Sequence, residues 1–382
     1  MMLVPLFEKN KKRGLVIVYD PHNLQQFIWY YCTYGKEIVW DALCLPNSGK
    51  GTYMTSYCEK AGIFSKIMTE DTEPLTMPFK KKIKYFIQMF LYYIVGKRKQ
   101  CCKKILNEYV EKVENYDVLA TICDSGFVSG LLALLGEEKE VIYFDDGAGD
   151  YCPRHRWKSP TLKFSFSYVQ GLLLARMGYS CHGRFYFEPT KYCYKYSAVT
   201  DKMQYRNYKK MYDLDISKTD LLMYNTILNT VYPEIRKIDF SSIDVVFFPD
   251  STCVFTNNYL KYDNACSCYI GERYKSVLLK RHPRDFSSIE FGEDVKVQEV
   301  DSRIPAELLF SFLGGKKIFF SYVSSIIIFM KPYNYQYSIL YLNDLYEENS
   351  SDESANVKYF SKKEFREYCD KFSEGNYEII EI

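Results

Sequence analysis

Seven short runs of β-branched and aromatic residues, separated by longer amphipathic stretches, constrain this chain more than any other feature. GLVIVYD (14–20), EIVWDALCL (37–45), YDVLATICD (116–124) and EVIYFDD (140–146) occupy the first half, and DVVFFPD (244–250), SVLLKRHP (276–283) and KKIFFSY (316–322) the second. Runs that are apolar rather than alternating read as strands buried on both faces, and their alternation with helical segments is the signature of open parallel α/β sheets. The 382 residues exceed what one hydrophobic core usually fills, so two such units are expected. The stretch 190–235 is rich in Tyr and Lys and shows no clear strand, which places the junction there and gives domains of 1–200 and 201–382. EENSSDESANV (347–357) reads as an acidic surface loop. Beyond it, Ser361 and Glu364 have capping-box spacing and Phe365, Tyr368 and Phe372 share a helical stripe, so the tail is expected to be a docked helix.

Composition excludes several function classes. A formal net charge of +2 gives no electrostatic footprint for nucleic acid. The 13 cysteines are scattered, with no CxxC pair, which fits neither a zinc site nor a secreted disulfide scaffold and points to reduced thiols in a cytoplasm. The first residues, MMLVPLFEKNKKRG, lack the apolar core of a signal peptide, and no uninterrupted apolar stretch reaches the roughly 18 residues of a membrane span. The 37 Tyr and 26 Phe are read first as core packing and second as a surface for stacking on sugars or bases. FKKKIKYFIQMFLYYIVGKRKQCCKK (79–104) brackets an apolar centre with nine Lys/Arg residues. Such a segment is either a buried helix with solvated ends or one that lies against the inner membrane, which would make the protein cytoplasmic and peripheral.

Some motifs resemble chemistry without meeting its requirements. NSGKGT (47–52) lacks the first glycine and the Ser/Thr of a phosphate-binding loop. DLD (213–215) has the spacing of a metal-holding DxD, but it precedes SKTDLL, where Asp, Ser and Thr cap helices. The four histidines include no pair at helical ligand spacing, and no GxSxG elbow occurs, so no metal centre is expected. His22 and Asn23, in DPHNL directly after the first run, are candidates for lining an acceptor site, with a turn role as the alternative.

Ligands of open α/β sheets bind beyond the carboxyl ends of the strands, so the residues that follow the runs carry the argument. One run ends in Asp145, Asp146 and Gly147. Successive strand residues point to opposite sides, so one of the two carboxylates faces a cleft and the other fixes the turn, while Gly147 admits a substrate hydroxyl. A second run ends in Arg281, His282, Pro283 and Arg284; the proline holds His282 extended, where its imidazole can stabilise a departing phosphate oxygen. A third precedes Ser324 and Ser325, whose hydroxyls suit an anion if a helix begins there.

DDG, then HP, then SS, in that order and at wide spacing, resembles the bacterial CMP-sialic-acid-dependent sialyltransferases of lipooligosaccharide and capsule (glycosyltransferase family 52-like). The resemblance implies a GT-B architecture, two Rossmann-like domains facing each other across a deep cleft, with the acceptor side in the N-terminal domain and the CMP donor in the C-terminal one. It further implies Asp145 as general base with Asp146 as the alternative, His282 as partner of the leaving phosphate, Ser324 and Ser325 as its holders, and Pro283, Arg284 and Glu307 as donor contacts. Gly147, His22 and Asn23 would lie on the acceptor side. A CMP-linked sugar leaves as a monophosphate ester, so protein donors replace a metal and no cofactor is needed; inversion requires a base and a leaving-group stabiliser on opposite faces. The acceptor would be a glycan, lipid-linked or free, and a homodimer stays open. The rival expectations are transfer from another CMP- or CDP-activated donor (a different nonulosonic acid, Kdo or a polyol phosphate) and a non-catalytic, membrane-associated scaffold of glycan assembly.

Overall fold

The computed structural model describes residues 11–45, 52–70, 87, 91, 95–121, 131–145, 192–197, 208–249, 258–282, 288–321, 326–330, 333–342, 362–373 and 375–382. The first unit is built on a seven-stranded sheet of β1 (Arg13–Val18), β2 (Val39–Cys44), β3 (Phe64–Thr69), β4 (Val118–Thr121), β5 (Glu140–Tyr143), β6 (Tyr194–Ser197) and β7 (Lys210–Asp213), in the order β3-β2-β1-β4-β5-β6-β7. The second is built on six strands, β8 (Val245–Phe248), β9 (Ser276–Leu279), β10 (Lys296–Glu299), β11 (Lys317–Phe320), β12 (Tyr337–Tyr341) and β13 (Tyr377–Glu381), in the order β10-β9-β8-β11-β12-β13. All the pairings are parallel. Each order runs outward from its first strand, returns across it and runs outward again, which is the doubly wound Rossmann arrangement. Two such units give the chain the domain composition of a GT-B fold.

All seven apolar runs are strands, and the central ones are buried along nearly their whole length. Two more strands, β6 and β7, lie in the stretch that the sequence leaves without one. They extend the first sheet, so the division between units falls between Val231 and Tyr232 rather than at 200/201. The physical reason is visible in β6, YKYS, whose polar residues interrupt any apolar run although three of its four positions are buried. The C-terminal tail forms the expected helix, Lys362–Ser373, and then adds β13 to the edge of the second sheet.

Helix α1 (Pro21–Tyr30) starts where Asp20 Oδ1 accepts from the Asn23 backbone N–H at 2.9 Å, with Pro21 opening the first turn. Asn23 Oδ1 in turn accepts from the Tyr19 N–H at 2.9 Å. Helix α2 (Thr52–Ala61) lies on the same face as α1, where Cys58 Sγ meets Cys44 Sγ at 3.6 Å. The opposite face is covered by α3 (Arg98–Leu106), whose Cys101, Cys102, Ile105 and Leu106 share a buried cluster with Leu15, Ile17, Leu43 and Leu119. Helix α4 (Leu221–Val231) is tied to α1 by a hydrogen bond of 2.8 Å from Gln25 Nε2 to Tyr224 Oη. The second unit adds α5 (Asn258–Gly271), α6 (Ile326–Met330) and α7 (Lys362–Ser373).

Candidate functional site

In the first unit the strand order reverses between β1 and β4, and the candidates sit at the carboxyl ends of β1 and β5. Asn23 is buried and both its main chain and its Oδ1 serve the helix cap; His22 beside it is half-buried. Asp145 follows β5 by two residues and is 0% exposed. Its Oδ2 accepts from Ser197 Oγ at 2.9 Å, and its Oδ1 lies 3.7 Å from Lys195 Nζ. Lys195 also donates to the Phe144 carbonyl at 2.7 Å. The alternation of β6 explains the arrangement: Tyr194 and Tyr196 face one side, so Lys195 and Ser197 face the other, beside the end of β5. Asp145 is therefore turned into the fold. Asp146 and Gly147 lie outside the described residues.

In the second unit the order reverses between β8 and β11. Strand β9 runs into Lys280, Arg281 and His282, and His282 is exposed at the end of the sheet. Arg281 Nε donates to Glu299 Oε1 of β10 at 2.8 Å, which fixes the turn against its neighbour. Pro283, Arg284, Ser324 and Ser325 lie outside the described residues; α6 begins at Ile326, directly after the serine pair. Strands β9 and β11, which precede the HP and SS motifs in the chain, both flank β8 and lie about 10 Å apart in the interior of the sheet.

Glu307 is 9% exposed and sits in the first turn of the 3₁₀ helix Ala306–Ser311. Next to it lies a residue that sequence reasoning missed. Lys280 is 4% exposed, and its ammonium donates to the carbonyls of Arg281 at 2.6 Å and Ser302 at 3.1 Å. Burial pulls its pKa down to about 8, against the opposing attraction of Glu307, Asp301 and Glu299. The signal was present in the sequence as a lysine closing an apolar run, SVLLK. DLD takes the capping role: Asp215 Oδ1 accepts from the Ser217 N–H at 3.0 Å and from its hydroxyl at 2.7 Å, which lowers the Asp215 pKa.

Among the described parts of 79–104, Ile87, Leu91 and Val95 are 51%, 56% and 62% exposed. Lys99 and Lys103 pair with Glu137 and Glu138, whereas Lys97 and Lys104 are exposed. No helix among the described residues is long and apolar enough to cross a membrane.

No family model matches the chain, and no curated protein matches it. Similar solved structures include the Arabidopsis thaliana UGT89C1 complexed with UDP (9% identity, 94% of this chain and 91% of that one, TM-score 0.43). They also include the calicheamicin glycosyltransferase CalG4 (7% identity, 97% and 86%, TM-score 0.45) and a UDP-N-acetylglucosamine 2-epimerase (9% identity, 94% and 95%, TM-score 0.41). Likeness at this level carries no argument about activity, and an epimerase stands among the transferases.

Proposed function

We propose that the chain is an inverting, metal-independent glycosyltransferase that moves sialic acid from CMP-sialic acid to a glycan hydroxyl, terminal galactose of a lipooligosaccharide or capsular polysaccharide being the acceptor class. The observation that supports this reading is that β9 and β11, the strands that precede the HP and SS motifs in the chain, flank β8 at the reversal of the second sheet, where doubly wound sheets bind nucleotides. His282 then stabilises the phosphate oxygen that takes the electron pair as the anomeric carbon–oxygen bond breaks, with Arg284, Ser324 and Ser325 holding the phosphate and Glu307 the ribose side. Asp145 is engaged inside the fold by Ser197 and Lys195. Its part is to brace the turn, and Asp146 takes the proton from the attacking hydroxyl. The acceptor is met at a membrane surface, through the exposed apolar stripe of Ile87, Leu91 and Val95 and the basic residues around it.

The test is incubation of the purified protein with CMP-sialic acid and galactose-terminated acceptors, with and without chelator. Transfer that persists under chelation is expected; strict metal dependence, or transfer only from a CDP-activated donor, overturns the reading. Asp146→Asn is expected to lower the rate about 10³-fold without changing stability. A scaffold would be untouched by Asp146→Asn and His282→Ala.

A further inference from the structure

We propose that Lys280 is a positioning residue, whose buried ammonium locks the turn carrying His282 to the loop leading into Glu307. The inference rests on the glycosyltransferase reading for its kinetic consequences, and on geometry for the lock itself. Two bonds leave one ammonium for two different strand-end segments: Arg281 O, in the residue before His282, and Ser302 O, in the loop after β10 that leads to the 3₁₀ helix bearing Glu307. A neighbouring ion pair, Arg281 with Glu299, fastens the same two strand ends. The charged groups around the ammonium are Glu299 on β10, Asp301 after it and Glu307 on the 3₁₀ helix, with Arg281 paired to Glu299 and Arg303 paired to Asp301. Three carboxylates against two guanidiniums leave a net negative surround that keeps the ammonium charged at neutral pH although it is buried. An apolar or neutral side chain there would leave both carbonyls without this donor and release the turn.

Above a pH of about 8 the ammonium loses a proton, and its bonds to the two carbonyls lose their charge assistance, although the fold as a whole gains because burial favours the neutral amine. Arginine cannot lose its proton in that range.

The experiment compares the full-length wild type with Lys280→Met and Lys280→Arg. Peptide-resolved amide hydrogen exchange reads the lock without any substrate: Lys280→Met is expected to exchange faster in 280–282 and 300–307 only, and Lys280→Arg to stay near wild type. Transfer kinetics read the consequence. Lys280→Met is expected to lose about 10²-fold in kcat with little change in KM. The wild-type kcat is expected to fall above about pH 8, and Lys280→Arg to move that limb upward. Unchanged exchange in those two segments, or faster exchange spread over both units, overturns the proposal; so does an alkaline limb that Lys280→Arg leaves in place. If Lys280→Met does not fold, Lys280→Gln is read by the same criteria. If the wild type transfers no sugar from any nucleotide donor, the functional reading fails and the exchange comparison alone decides the role of Lys280.

Discussion

Ser197 offers the most direct handle on what Asp145 does. With its hydroxyl removed, Asp145 Oδ2 loses a bond of 2.9 Å in a site with no exposure, so Ser197→Ala is expected to cost about 1–3 kcal/mol, read from urea unfolding. Unchanged stability would argue that the carboxylate is not held there. Gly14 tests packing in the same unit: a Cβ at that position would lie 2.4 Å from Trp40 Cε3. The indole cannot give way, because it is 1% exposed, edge-on to Phe27 at 4.9 Å and bonded from Nε1 to the Gly35 carbonyl at 3.0 Å. Gly14→Ala is expected to destabilise by about 1–3 kcal/mol. Lys280 gives a pH signature. Its folded pKa of about 8 lies below the ordinary 10.5, so the unfolded chain binds more protons between those values and stability rises with pH across that window. The wild type minus Lys280→Met stability difference is expected to increase by up to about 3 kcal/mol from pH 8 to 10.5, and a flat difference contradicts a buried ammonium. Asp145 and His282 were legible as special because both follow apolar runs. Lys195 and Ser197 were not, since only the fold brings β6 beside β5.

At the scale of elements, the strands that the sequence showed are the ones buried on both faces, and most of those it hid are edges. β3, β10 and β13 alternate or expose most of their positions, so their contribution comes from backbone pairing that no side-chain pattern announces. β6 and β12 are the interior exceptions, β6 hidden by its polar YKYS and β12 buried throughout and readable from SILY. β7 is itself an edge and hides for the same reason; it is held by tyrosine stacking, Tyr196 on Tyr212 at 4.9 Å and 16°. A fragment of residues 1–200 would lose β7, α4 and the Trp29 Nε1 to Thr219 bond of 2.9 Å, and would bare β6 as a new edge. Residues 1–231 are therefore expected to be soluble with a cooperative urea transition, and residues 1–200 to aggregate. Equal behaviour of the two fragments would return the junction to 200/201.

For the whole molecule, a net charge of +2 is too small to draw the chain to an anionic surface, so any membrane affinity must be local. The local supply of charge is smaller than the sequence of 79–104 suggests, because Glu137 and Glu138 neutralise Lys99 and Lys103 at 2.6 and 2.8 Å. What remains among the described residues is an apolar stripe at four-residue spacing, Ile87, Leu91 and Val95, more than half exposed at each position, with the exposed charges of Lys97 and Lys104. Apolar burial should then hold the protein to a bilayer while charge selects which bilayer, each exposed basic residue adding about 1 kcal/mol at an anionic surface. Flotation with phosphatidylcholine vesicles is expected to show weak binding, and flotation with phosphatidylglycerol included to show strong binding that high salt reduces without abolishing. Leu91→Glu should abolish binding to both while leaving the urea transition unchanged, since that side chain is 56% exposed and supports no core. Binding that Leu91→Glu leaves intact would remove the stripe from the account, and an absence of flotation with either vesicle would remove the membrane as the place where the acceptor is met.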